Sequence, residues 1–190
     1  MEGSEPETTH LEISHDLHKH AANGDTQMVI SILSNNDSEE LLHNEGPRQN
    51  TPLHLANGDT QMVISILSNN DSEELLHRKG PRQNTPLHLA ILYRHKDTAK
   101  ALVQRGASLT MLNACGDMPI SYCCDGEMLK TLLSNTSLHN QEPREVKSLG
   151  QTTNIDTGAV DATGKSILHY ASLHLKKTKS RYLFSQLISM

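Results

Sequence analysis

The sequence predicts an all-α solenoid of about four to five helix-turn-helix units. Three observations support this fold class: a long segment recurs almost unchanged at a fixed offset, a Thr-Pro pair opens the clearest units, and apolar residues follow each opening at helical spacing. The chain has 190 residues, of which 35% are hydrophobic, so it can hold such a row. One helix pair cannot bury both of its apolar faces alone, and the units are therefore expected to stack.

The recurring segment has an offset of 34 residues. Residues 22–43 recur as residues 56–77, and residues 46–56 recur as residues 80–90. An offset of this size is typical of helical repeats and far from the heptad of a coiled coil. Identity this high indicates a recent duplication, or an error in the gene model, because exposed positions have had no time to diverge.

Each unit is expected to contain two short helices. Thr51 and Thr85 can cap the first one, and the proline that follows occupies the first turn, where its missing N–H would be unpaired in any case. A turn follows, and then a second apolar stretch with the spacing of one buried helix face. Its apolar positions are Met62, Val63, Ile66 and Leu67 in one unit and Ala99, Leu102 and Val103 in the next.

The opening motifs point to a family. TPLHLA occurs at residues 51–56 and again at residues 85–90, and RGASLTMLNACGDMPI follows at residues 105–120. Together these segments resemble the ankyrin repeat. By that resemblance, three weaker openings can be placed, and the units are expected to start near residues 15, 51, 85, 118 and 161.

One repeat domain is expected, preceded by a short tail. Residues 1–46 carry ten acidic residues and a single basic one, and we expect residues 1–14 to be an acidic disordered N-terminus. The ankyrin-repeat domain is expected to cover residues 15–190. Because the last two openings are too far apart for one unit, a polar insert is expected at about residues 134–160, and a loop this long is usually functional or disordered.

The second unit carries a local deletion. It runs from Ala56 through Asn57 to Gly58, so two residues are missing from the end of its first helix. Since a helix turns by about 100° per residue, the loss would misdirect the following chain. Asn57 and Gly58 tolerate left-handed dihedral angles and can absorb the change. We expect a shortened and weakly packed unit here.

The lengths of the connections between units indicate which group of ankyrin-repeat proteins the chain resembles most. DSEELLHNEGPRQN and DSEELLHRKGPRQN are about three residues longer than is usual for an ankyrin repeat. A unit of standard length follows, and the next one carries the insert. This order is similar to the ankyrin domain of inhibitor-of-κB proteins and of NF-κB precursors of the Relish type. The resemblance implies an inhibitor that binds Rel-homology transcription factors and retains them in the cytoplasm, with the nucleus as a further location.

The same resemblance implies the contact residues, because in that family the connection tips and the concave face of the first helices contact the partner. The tips supply Arg48, Gln49, Asn50, Arg82, Gln83, Asn84, Asn113, Ala114 and Cys115, and the exposed first-helix end of the third unit supplies Leu92, Tyr93, Arg94 and His95. The expected partner is a protein, a Rel-homology dimer. No small-molecule substrate, no direct nucleic-acid contact and no membrane contact is expected. The alternative is a generic ankyrin adaptor that recruits an unrelated protein.

The chain also departs from the family pattern. The degron of the family, Asp-Ser-Gly followed by a second Ser, is absent from residues 1–20, so the resemblance does not extend to regulated phosphorylation and degradation. The last unit stops inside its second helix, where apolar residues would have no next unit to cover them. We expect a fragment, a truncated inhibitor or a chain that pairs with a second copy. The apolar residues concerned are Leu183, Phe184, Leu187 and Ile188.

No enzyme, cofactor or metal site is predicted. The sequence contains no GxSxG, HExxH, P-loop or GxGxxG motif, so no catalytic residue is proposed. His54, His88 and His169 occupy one equivalent place in the units, where the resemblance makes them structural hydrogen-bonding residues. Cys123 and Cys124 are adjacent, which is poor geometry for zinc, and both are expected to be buried, whereas Cys115, near a tip, is expected to be more exposed and more reactive.

Overall fold

The computed structural model describes residues 6–35, 38–56, 58–68, 72–137 and 158–175. These residues form ten α-helices and three short 3₁₀ turns, and they contain no strand beyond one isolated antiparallel bridge between Val160 and Ser166. The helices are α1 (Pro6–Asn23), α2 (Thr26–Asn35), α3 (Ser38–His43), α4 (Pro52–Leu55), α5 (Thr60–Ser68), α6 (Ser72–His77), α7 (Pro86–Leu92), α8 (Lys96–Gln104), α9 (Gly126–Ser137) and α10 (Ile167–Leu175). The 3₁₀ turns are Pro47–Gln49, Pro81–Gln83 and Pro119–Tyr122.

The helices form a row of units, as expected for an all-α solenoid. Unit 1 contains α1 and α2, unit 2 contains α4 and α5, and unit 3 contains α7 and α8. In unit 4 the 3₁₀ turn Pro119–Tyr122 takes the place of a first helix and precedes α9, and unit 5 begins with α10. First helices contact first helices of neighbouring units, and α2, α5, α8 and α9 pack in the same order. One continuous apolar core therefore runs through the row.

Histidines join successive units. The His54 Nδ1 atom accepts a hydrogen bond from the Thr51 backbone N–H over 3.3 Å, which leaves the Nε2–H group to donate to the Asn84 carbonyl oxygen of the next unit over 3.0 Å. His88 repeats the arrangement and donates to the Asp117 carbonyl oxygen over 3.1 Å. The structural role expected for these side chains is confirmed. It holds also for His169, whose Nδ1 atom accepts from the Ser166 N–H over 3.1 Å.

Helix α1 differs from the prediction. It starts at Pro6, a residue well suited to a first helical turn, so the expected disordered segment 1–14 is helical from residue 6 onward. No proline stands at the expected opening near residue 15, and nothing there interrupts the helix. The repeat register is nevertheless present, because His18 Nε2 lies 3.1 Å from the Asn50 carbonyl oxygen, as His54 lies beside Asn84.

The other boundaries agree in part. Helix α9 continues to Ser137, so the polar insert does not begin at residue 134, and most of the predicted insert lies outside the described residues. The apolar side chains that were expected to be uncovered, at residues 183–188, lie outside the described residues, and so does Asn57. None of the described helices has the length and apolar character needed to cross a bilayer.

The prediction that the second unit is shortened is confirmed, but the prediction that it packs weakly is wrong. Helix α4 has four residues, whereas α7 has seven. Even so, Leu53 on α4 is only 1% exposed, and Met62 and Ile66 on α5 are fully buried. Gly58 takes a positive φ of 112°, and the Asp59 N–H donates to the Ala56 carbonyl oxygen over 3.0 Å. The turn thus absorbs the deletion without opening the core.

Candidate functional site

Four loops precede the openings of units 2 to 5 and lie at one edge of the row. We name them tip 1 (residues 46–50), tip 2 (residues 80–84), tip 3 (residues 113–117) and tip 4 (residues 161–165). Backbone hydrogen bonds connect neighbouring tips: the Ala114 N–H donates to the Arg82 carbonyl oxygen over 2.9 Å, and the Ala162 N–H donates to the Gly116 carbonyl oxygen over 2.8 Å. The last three tips therefore form a connected edge.

Tips 1 and 2 have the same unusual backbone. Arg48 and Gln49 have φ values of 66° and 62°, and Arg82 and Gln83 have φ values of 57° and 55°. Two successive left-handed residues make a type I′ turn, and in tip 2 the Asn84 N–H closes it on the Pro81 carbonyl oxygen over 3.1 Å. Residues other than glycine adopt this conformation at a cost of about 1–2 kcal/mol each, and they present their side chains to solvent here.

The structure separates the predicted tip residues into two groups. Asn84 and Asn113 are buried, and their side chains are joined by a 2.9 Å hydrogen bond from Asn113 Nδ2 to Asn84 Oδ1. These two asparagines hold the tips together, and their burial leaves little of either side chain exposed to a partner. Asn50 is half-buried. Exposed members of the predicted set are Arg48, Gln49, Arg82, Gln83, Ala114 and Cys115.

The end of α7 presents a second exposed surface. Leu92 is 43% exposed and Tyr93 is 62% exposed, although both are apolar or aromatic. Arg94 follows with a φ of 63°, and its Nη2 group donates to the Cys124 Sγ atom over 3.2 Å. The ring of His95 lies 6.3 Å from the ring of Tyr93, centroid to centroid. These four predicted contact residues are therefore together at one place, with His95 half-buried and the other three exposed.

The first residue of tips 1 and 2 is a glycine whose role the sequence did not predict. A Cβ atom on Gly80 would lie 2.8 Å from the His54 ring, and one on Gly46 would lie 2.2 Å from the His18 ring. Both distances are too short for a real contact, so each glycine allows a tip to approach the histidine that holds it. The available signal was a Gly-Pro pair at the same position of both copies.

Burial determines the protonation of the histidines that support the tips. It lowers the pKa of His54 from the ordinary 6.5 to about 4, although hydrogen bonds to the Asn84 and Arg78 carbonyl oxygens oppose the shift. Burial also lowers the pKa of His88, with the Asp117 carbonyl oxygen opposing it. Both rings are thus neutral near pH 7, as their hydrogen bonds require.

The cysteines do not form a pair of buried residues. Cys123 is buried, and burial raises the pKa of its thiol to about 11, but Cys124 is exposed and so is Cys115. The expectation for Cys124 is wrong because the backbone at Cys123 is extended, so that neighbouring side chains point to opposite sides. Within the described ranges, no three His, Cys, Asp or Glu side chains converge as metal ligands would.

A comparison with known protein families matches the part of the chain that contains most of units 1 to 3. The family model described as ankyrin repeats (3 copies) matches residues 17–113, which is about half of the chain. The matched span includes tips 1 and 2, both Thr-Pro openings and the exposed end of α7. No curated protein matches the chain.

Proposed function

The chain belongs to the ankyrin-repeat family of protein-interaction modules, and we propose that it is an inhibitor that binds a dimer of Rel-homology transcription factors. It retains that dimer in the cytoplasm. Ankyrin repeats are generally not enzymes, and the proposal involves binding alone. Its contact surface consists of the exposed residues of tips 1 to 3 and the exposed end of α7.

The observation that carries a binding role is the exposure of Leu92 and Tyr93. Large apolar and aromatic side chains are normally withdrawn from water, and aromatic residues and arginines are enriched at the centres of protein interfaces. Here Tyr93 is 62% exposed at the end of a first helix and is followed by the exposed Arg94. A partner that lies along the first helices would cover these side chains.

The choice of partner rests on the order of long and short units. The first two connections contain additional helices, α3 and α6, between a second helix and the following tip. Unit 3 has no such helix, and the segment after α9 is again long. This order is the basis of the resemblance to inhibitor-of-κB proteins, and it supports the Rel-homology partner over an unrelated one.

Charge supports the same choice. Residues 1–46 contain ten acidic residues and one basic residue, and the described part of α1 exposes Glu12 and Asp16. The nuclear-localisation segment of a Rel-homology protein is basic, so α1 offers it a complementary surface. Complementary charges of this kind raise the association rate more than the affinity.

A binding assay with a purified Rel-homology dimer tests the proposal. We expect binding by the full chain at submicromolar concentration and a loss of about ten-fold or more in Tyr93→Ala, since a central aromatic contributes strongly to an interface. Met28→Ala is the matched control, because Met28 is 48% exposed on α2, away from the first-helix row. In cells, the wild-type chain should move the dimer from the nucleus to the cytoplasm, and Tyr93→Ala should not. Absence of binding at micromolar concentration would exclude the Rel-homology partner and leave the generic adaptor.

A further inference from the structure

The described arginines fall into two groups. Arg78 pairs with Glu74 over 3.1 Å and with Glu45 over 3.5 Å. Arg94 donates to Cys124, and Arg105 donates to the Leu67 carbonyl oxygen over 2.7 Å. The two remaining arginines, Arg48 and Arg82, have exposed side chains whose guanidinium groups make no ion pair or hydrogen bond with any other described residue. Among the described arginines, the two without such a partner are therefore the two at the tips.

Their positions in the row are equivalent. Each arginine is the first of two left-handed residues, follows a proline and precedes a glutamine. Because the first helices of stacked units lie roughly 8–10 Å apart, equivalent tip residues are separated by about the same distance. The two copies of the repeated segment thus carry an arginine at equivalent tip positions, one unit apart.

This spacing matches an extended ligand. In a polyproline II segment, every third residue lies on the same face, and the rise of about 3.1 Å per residue gives about 9 Å between such residues. Each guanidinium can bind a carboxylate through two parallel hydrogen bonds. Glutamates or aspartates three residues apart would therefore reach both arginines together, and the second contact would form at high effective concentration.

We propose that Arg48 and Arg82 form a two-guanidinium site for an acidic, extended segment of a protein partner with carboxylates three residues apart. The inference rests on the proposal that the tips contact a protein, and it names the chemistry of that contact. The adjacent Gln49 and Gln83 are exposed, and their amides are placed to bind the backbone of the segment.

A nucleic acid is the less favoured ligand for these cations. Its phosphates also bind arginine, but proteins that bind nucleic acid usually carry a broad basic patch and many phosphate contacts. This chain has a net charge of −5, and the site contains two cations. Two carboxylates of a short acidic peptide would pair with both cations, whereas a nucleic-acid backbone would leave most of its phosphates without a cation.

Titration of the full chain with fluorescent peptides tests the site. The probe is a peptide of four Glu-Pro-Pro repeats, and its matched control is a peptide of four Glu-Pro-Pro-Pro repeats, which has the same charge but rotates successive carboxylates by about 120°. Dodecathymidylate is the nucleic-acid probe. The variants are Arg48→Gln/Arg82→Gln, the charge-preserving Arg48→Lys/Arg82→Lys, and Arg78→Gln as the control for the loss of a positive charge elsewhere.

We expect the first peptide to bind about ten-fold tighter than the second, and the double Gln variant to lose about ten-fold in affinity. The double Lys variant should lose less, because lysine keeps the charge but not the planar pair of donors, and Arg78→Gln should change affinity less than two-fold. Equal losses in Arg78→Gln and the double Gln variant, equal binding of both peptides, or tighter binding of the oligonucleotide would each overturn the proposal.

The variants should keep the fold, because glutamine already occupies the left-handed positions at Gln49 and Gln83. An unchanged thermal unfolding midpoint verifies this. The titration contains no Rel-homology dimer, so its result is independent of the proposed partner. Peptide binding without dimer binding would contradict only the proposed function, and dimer binding without peptide binding would contradict only the two-guanidinium site.

Discussion

Units 2 and 3 both open with TPLHLA, yet they end their first helices differently. Helix α4 stops at Leu55, whereas α7 continues to Leu92. The buried positions are the same in both: Leu53 matches Leu87, and each is almost completely withdrawn from solvent. Unit 2 is two residues shorter at the point of the repeat where unit 3 exposes Leu92 and Tyr93. The first helix of unit 2 is therefore shorter at its end, whereas the core positions that the two units share stay buried.

The comparison separates two roles within one repeat. The start of the first helix and the second helix build the core and are held by the Thr-Pro opening and the histidine. The end of the first helix contributes to the surface that a partner would meet. Unit 2 keeps its contribution to the core but offers little surface to a partner. Substitutions in units 2 and 3 should therefore separate effects on stability from effects on binding.

The largest effect is expected from Leu53→Ala and Leu87→Ala. Removing a fully buried leucine costs about 2–5 kcal/mol in unfolding free energy, and the two losses should be equal within about 1 kcal/mol because both sites are equally buried. Urea unfolding measures them, and the exposed Leu92→Ala should cost less than about 0.5 kcal/mol. A loss in Leu53→Ala of less than half that in Leu87→Ala would contradict tight packing in unit 2.

Acid should destabilise the row through its histidines. Below pH 6.5 the unfolded chain protonates His54, but burial lowers the pKa of the folded form to about 4. The unfolding free energy should therefore fall as the pH drops from 6.5 to about 4, by roughly 3 kcal/mol from this group. Burial lowers the pKa of His88 as well, so unit 3 contributes in the same direction.

Unfolding curves of His54→Gln and His88→Gln between pH 4 and pH 7 measure these contributions. Each variant should show a weaker pH dependence than the wild-type chain, and His54→Gln should show the weakest. Burial would raise the pKa of Asp161, but hydrogen bonds from Tyr170 and Thr163 hold it below the ordinary 3.8, so this carboxyl titrates outside the interval. An unchanged pH dependence in His54→Gln would show that the ring does not stay neutral in the fold.

The sequence predicted most of the scaffold and less of the surface. Thr51 and Thr85 start helices as expected, because a cap and a proline act locally. The burial of Asn84 and Asn113 could not be predicted, since it depends on a contact between tips of neighbouring units. The helix that continues from Pro6 past His15 was missed because the family pattern requires an opening where the local sequence provides no break.

The smallest effect concerns two glycines at equivalent positions of the repeated segment. Gly24 and Gly58 both follow asparagine and have φ values of 79° and 112°. A Cβ atom on Gly24 would meet nothing within 4 Å, whereas one on Gly58 would lie 3.1 Å from the His95 Nε2 atom. Alanine is strained at both positions, by about 1–2 kcal/mol at Gly24 and by more at Gly58, whose φ lies further from the left-handed region that other residues adopt. In Gly58→Ala the added methyl group also crowds a ring.

Gly58→Ala should therefore lower the unfolding free energy by about 1 kcal/mol or more beyond Gly24→Ala, through its greater backbone strain and through the shift of a side chain from its rotamer. Urea unfolding gives the difference. Measured against His95→Ala, the substitution Gly58→Ala should cost less than it does in the wild-type chain, because the ring that the methyl group meets is then absent. Equal losses in the two single variants would show that neither the larger φ of Gly58 nor the nearby His95 ring affects stability at this turn. The turn of the shortened unit would then have room for the added methyl group beside His95.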